Sequence, residues 1–129
     1  MRIFKNGWFQ RFAHKQRIPD SALRDAIDRA ENGQIDADLG GGVIKQRVAR
    51  KGEGRSGGFR TIILYRGAGR AFFVYGFAKS DRENIDDHEE AQFKKAASHV
   101  LGLTDDQLAK LIDKGQFSEV AENDKKVSE

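Results

Sequence analysis

Apolar positions along the chain first recur at helical spacing and then, in the middle, at strand spacing. Arg2-Ile3-Phe4-Lys5 is short and reads as an edge strand. Asn6 stands where a helix cap is expected, and Trp8, Phe9 and Phe12 follow at helical intervals until the pattern fades over His14–Arg17. Asp20 is placed to cap the next helix, in which Leu23, Ile27 and Ala30 repeat on one face. Gly33 falls where a left-handed helix end is expected. The two helices read as an antiparallel hairpin with one apolar face.

After a break at Leu39-Gly40-Gly41-Gly42 the period drops to two. Val43–Arg50 alternates as a strand, with Ile44, Gln46 and Val48 on one face and Lys45, Arg47 and Ala49 on the other. Lys51–Gly58 reads as a basic, glycine-rich loop, and Phe59–Arg66 as a second strand. Gly67-Ala68-Gly69 has hairpin length. Arg70–Lys79 is then a third strand, and strict alternation puts Phe73, Tyr75, Phe77 and Lys79 on one face. Short links between consecutive strands imply an antiparallel meander. A third helix is expected from about Asp86 to Leu101, with Phe93, Ala97, Val100 and Leu101 as its stripe. Thr104 and Gln107 form a near capping box for a fourth helix, which Gly115 ends. The fold class is therefore α+β: a small antiparallel sheet made of an N-terminal strand and a three-strand meander, an N-terminal helical hairpin, and C-terminal helices. Residues 1–120 are expected to form one domain and residues 121–129 a charged, disordered tail.

Composition narrows the chemistry. A chain of 129 residues suits one domain with a core of its own, and zero cysteines remove disulfides, thiolate zinc sites and cysteine nucleophiles. No apolar run is long enough to span a membrane and no secretory h-region follows Met1, so a cytoplasmic protein is expected. The net charge of +3 is unevenly spread. Val43–Ser80 holds nine basic residues and one acid, a net +8, while the rest, with 14 basic and 19 acidic residues, is net −5. Such asymmetry points to a polyanionic partner on one face.

Lys45 and Arg47 lie two apart on one strand and so point the same way. The meander brings Lys79, at the end of the third strand, near Arg60, at the start of the second. These four cations form a candidate phosphate-binding patch, Arg by its planar fork and Lys as a mobile point charge. Tyr75 and Phe77, beside Lys79, suit unstacked bases, although core packing is the simpler reading for Phe77. Lys51 and Arg55 in the glycine-rich segment are placed to track a phosphate backbone. That segment joins two strands, so it lacks the strand–helix context of a nucleotide-binding loop. His14, His88 and His99 all fall in helices outside the basic segment, which disfavours a paired-histidine ribonuclease. His88 alone is near enough in sequence to approach the patch. No metal-ligand spacing stands out, and neither metal nor cofactor is expected.

Three strings carry a resemblance: Leu39–Ala49 with its Lys-x-Arg, Gly54-Arg55-Ser56-Gly57-Gly58-Phe59-Arg60-Thr61, and Phe72–Ser80 with its Phe-x-Lys-Ser ending. Together they resemble toxins of bacterial type II toxin–antitoxin systems, in the RelE-like branch that includes HigB-type toxins, within the RelE/ParE superfamily. The resemblance runs from about Phe4 to Val120. It implies a small twisted sheet with a helical hairpin on one side, and an endoribonuclease that cleaves messenger RNA, commonly in the ribosomal A site, without a metal. By position, Lys45, Arg47, Arg60 and Lys79 match the catalytic set, Lys51 and Arg55 are RNA contacts, and Tyr75 matches less closely. A 2′-hydroxyl would attack the adjacent phosphate, with Arg47 and Arg60 stabilising charge and Lys45 or Lys79 as acid or base. The implied partner is an antitoxin with a DNA-binding helix-turn-helix. Two other readings stay open: a ParE-like inhibitor of a protein such as gyrase, and a non-catalytic RNA-binding module.

Overall fold

The computed structural model describes residues 1–50, 54–67 and 69–121. In chain order its elements are β1 (Arg2–Asn6), α1 (Gly7–Lys15), α2 (Asp20–Glu31), β2 (Ala37–Gly40), β3 (Val43–Arg50), β4 (Gly54–Arg66), β5 (Arg70–Ala78), α3 (Asp87–Val100), α4 (Asp105–Asp113) and β6 (Phe117–Glu119). The α+β class and the β3–β4–β5 meander are as expected. The strands form one sheet in the order β2-β3-β4-β5-β1-β6.

The sheet is wider than the sequence pattern suggested. Strand β1 is internal rather than an edge, running parallel to β5 and antiparallel to β6. Leu39-Gly40, read as part of a break, closes β2, which pairs antiparallel with β3. Gly54–Gly58, read as loop, is the start of a long β4. The expected tail, from residue 122 onward, lies outside the described residues.

Helices cover both faces. On one face α1 and α2 bury Phe9, Leu23 and Ile27 against Ile44, Val48, Phe59, Ile63 and Phe73. On the other, α3 and α4 bury Ala97 and Leu108 against Phe4, Val43, Ile62, Leu64 and Phe72. Each fully buried aromatic or aliphatic side chain contributes about 1.5–3 kcal/mol. The caps follow local chemistry. Asn6 accepts a hydrogen bond from Phe9 N–H at 2.7 Å, and both Asp86 and Thr104 close full capping boxes. Asp20 is not a cap. Pro19 takes that position, and the Asp20 carboxylate pairs with Lys5 at 3.1 Å.

Two details set the phase and position of the strands around the basic segment. Gln46 is fully buried and ties β3 to α2, donating to the carbonyls of Ala26 (2.9 Å) and Gln34 (3.1 Å) and accepting from Asp36 N–H (2.9 Å). A β-bulge shifts the β4–β5 register, so Ile63 pairs with Phe73 but Ile62 pairs with Tyr75. Val74 is the extra residue. Phe73 therefore faces α1 and α2, while Tyr75 and Phe77 face the other way, which corrects the single face expected for all of them. Beyond the bulge, Gly76 lets α1 approach closely: a Cβ there would lie 2.8 Å from the Phe12 ring.

Candidate functional site

The register assembles the candidate cations. Arg47 pairs across the ladder with Arg60, and Arg60 with Phe77. One step along, Lys45 pairs with Ile62, and Ile62 with Tyr75. Directly opposed side chains on antiparallel strands stand about 5 Å apart at Cβ. Lys79 directly follows Ala78, the partner of Phe59, and lies in the turn that closes β5, past the last rung of the ladder. The ladder thus sets Lys45, Arg47 and Arg60 on one face, while Lys79 follows the end of the neighbouring strand.

Their surroundings differ. Arg47 and Lys79 are exposed and make no side-chain ion pair among the described residues. Lys45 donates to Asn84 Oδ1 at 3.1 Å, and the same oxygen accepts from Ile85 N–H at 2.9 Å. Arg60 is half-buried, and its Nη1 is closed off from solvent with no hydrogen-bond acceptor. A buried donor without a partner is unfavourable, and more so when it belongs to a charged group.

Arg82, in the connector before α3, completes the site and was not anticipated. Its guanidinium carbon lies 5.8 Å from the Tyr75 ring centroid and 5.6 Å from that of Phe77. It donates to the Tyr75 hydroxyl at 3.0 Å, to both Glu89 carboxylate oxygens at 3.1 and 2.7 Å, and to the Asn84 carbonyl at 3.0 Å. The hydrogen bond from Arg82, with a second from Asp86 N–H, holds the Glu89 carboxyl below the usual carboxylate range. The Glu89 bond and then the Tyr75 hydroxyl raise Arg82 above the ordinary guanidinium value. No periodicity marks Arg82, because its partners come together only when α3 docks.

Other expectations fare differently. Phe77 is 4% exposed, packed in the α3-side core with Arg82 over its ring, so it is not an open base-stacking face. Tyr75 is half-buried, its ring 4.6 Å from Trp8 and 5.9 Å from Phe93. Lys51 and the side chain of Arg55 lie outside the described residues. Not every basic residue of the +8 segment serves this face. Arg70 is buried and donates to the Leu103 carbonyl and to Asp105 at the start of α4, while Arg50 lies over the Phe59 ring. His88 is exposed on the first turn of α3, with no hydrogen bond to the patch. Among the described residues no three His, Asp or Glu side chains converge on a metal-sized site. None of the described helices is long and apolar enough to cross a membrane.

The family model described as the RelE toxin of the RelE/RelB toxin–antitoxin system matches residues 1–120. The chain belongs to the RelE toxin family. No curated protein matches it in a sequence comparison. The RelE match spans every described element, from β1 to β6, and includes the cation patch and the Arg82 connector. A RelE-family toxin is one half of a toxin–antitoxin pair, so its partner is an antitoxin.

Proposed function

We propose that this RelE-family toxin is an endoribonuclease that cuts messenger RNA at the ribosome, in the cytoplasm, and so halts translation. The observation that carries the reading is the Arg47–Arg60 pair, two cations directly opposed on one ladder with a buried guanidinium nitrogen lacking an acceptor. Like charges placed so close are destabilising unless an anion lies between them. Toxins of this family are generally ribonucleases.

The chemistry needs only charge stabilisation and proton transfer. The ribose 2′-oxygen attacks the adjacent phosphorus as the bond from phosphorus to the 5′-oxygen breaks, leaving a 2′,3′-cyclic phosphate and a 5′-hydroxyl. Arg47 and Arg60 stabilise the charge that builds on the non-bridging oxygens. Lys45, on the strand beside that pair, and Lys79, just past the end of β5, take the 2′-hydroxyl proton and return one to the departing 5′-oxygen. Arg82 acts as a positioning residue, fixing the Tyr75 hydroxyl and the Asn84 segment that holds Lys45. The antitoxin, a small protein with a helix-turn-helix, opposes the toxin by covering the cation face.

Induced expression followed by mapping of transcript ends tests this reading. New 5′-hydroxyl ends inside coding sequences, appearing with growth arrest, are expected. Growth arrest with intact transcripts and a DNA-damage response would overturn it in favour of a gyrase-type target.

A further inference from the structure

The exposed side of α1 is an aromatic and basic surface that the cleavage chemistry does not use. Trp8, Arg11, Phe12 and Lys15 fall at intervals of three and four and so form one stripe. Together with Gln16 they line an open cleft of about 240 Å³. Trp8 is 39% exposed, and its ring stacks on Phe12 at 5.2 Å with an interplanar angle of 16°. No acid occurs between Asn6 and Pro19, whereas Arg11, Lys15 and Arg17 all do, exposed and without an ion pair among the described residues. The stripe is continuous with the candidate site, because the other neighbour of the Trp8 ring is Tyr75, at 4.6 Å. Strand β1 stops pairing with β5 at Lys5–Phe73, so past that point α1 borders the free side of Tyr75.

We infer that the α1 stripe binds the single-stranded RNA flanking the cleaved phosphate, one unstacked base packing against the exposed part of Trp8 and the following phosphates on Arg11 and Lys15. This deepens the ribonuclease reading and rests on it for the identity of the strand. An aromatic face beside unpaired cations is the combination that holds single-stranded nucleic acid with little sequence preference. An acidic protein segment would be drawn by the same cations, but it would gain little from a flat indole aligned with a phosphate patch.

Trp8 is the sole tryptophan in the chain, so its emission reports on this surface directly. The probe is a 2′-O-methylated single-stranded RNA of about a dozen nucleotides, within the usual site size for such surfaces, which binds but cannot be cut. Saturable quenching of Trp8 at low salt is expected. The Arg11→Glu/Lys15→Glu variant should bind the probe about tenfold more weakly, with the slope of log affinity against log salt reduced by about 2, one for each lost phosphate contact. Unchanged emission at saturating RNA, or equal affinity and salt slope in a double variant with native circular dichroism, would overturn the inference. So would a double variant that keeps its RNA affinity but is no longer neutralised by its antitoxin, since the stripe would then be a protein-docking surface. Because the probe is not cleaved, quenching with the expected salt behaviour supports the inference even if transcripts prove intact, an outcome that would sink only the cleavage reading.

Discussion

Arg60 sits opposite Arg47 and buries one guanidinium nitrogen where nothing accepts its hydrogen bond. A residue kept for folding would have acquired a partner, as Arg70 has in Leu103 and Asp105. The contrast gives a prediction with two parts. Arg60→Ala should lower cleavage about 10²–10³-fold, the usual effect of removing one donor to a developing anion. Its melting temperature should stay the same or rise, because an unfavourable buried donor is removed. A variant that loses several degrees would place Arg60 in the scaffold. That Lys45 and Arg47 share a face was legible in the sequence, since β3 is regular and its period fixes which side chains point together. Arg82 was not, because a connector has no period and its carboxylate partner arrives on a later helix. For Phe77 the simpler reading, core packing, is the one the fold takes: alternation leaves open what covers a ring, and here it is buried on the α3 side.

Among the elements, the meander and all four helices could be read from spacing and caps, and β2, β6 and the true extent of β4 could not. β2 and β6 are short and mix glycine or charge with apolar residues, so they become strands only through the neighbours they pair with. The first five residues of β4, Gly54–Gly58, carry three glycines, which by composition signal a loop. At least one of these glycines has a packing reason. A Cβ on Gly58 would fall 2.1 Å from the Val48 carbonyl oxygen, on backbone that cannot swing aside. Gly58→Ala is therefore expected to cost about 1–3 kcal/mol, the usual range for overpacking. It should also reduce cleavage, because the β3–β4 separation that sets Arg47 against Arg60 must widen. Chemical denaturation with a parallel activity assay checks both effects, and a neutral substitution would mean that the two strands have slack here. The bulge at Val74 belongs to the same scale. A single extra residue reverses the phase of β5 and turns Tyr75 to the cations, a shift that strict alternation could not foresee.

Over the whole molecule, two arginine–carboxylate pairs fasten neighbouring segments: Arg82–Glu89 holds the connector to the first turn of α3, and Arg2–Glu119 joins β1 to β6. The Glu119 carboxyl, like that of Glu89, is held below the usual range by its arginine hydrogen bond. Carboxylates lowered in the folded state stabilise it above the unfolded value of about 4.3, and that stability is lost as pH falls through the lowered native value. The melting temperature should therefore be nearly flat between about pH 8 and 5 and fall below about pH 4. In a Glu89→Gln/Glu119→Gln variant this acid limb should be shallower, with a modest loss of stability at neutral pH because both pairs are partly exposed. An unchanged acid limb would show that other carboxylates govern acid unfolding.

The position of β1 also governs when the fold can form. Among the described residues its strand partners are β5, which begins at Arg70, and β6, which ends at Glu119. The first strand made must therefore wait for the last, and long-range pairing of this kind is slow to form. Until Phe117–Glu119 is in place, the sheet lacks the strand that flanks β1 and the Arg2–Glu119 clasp. Formation of the complete sheet is therefore a late event, set by residues near position 119 rather than by the meander at its centre.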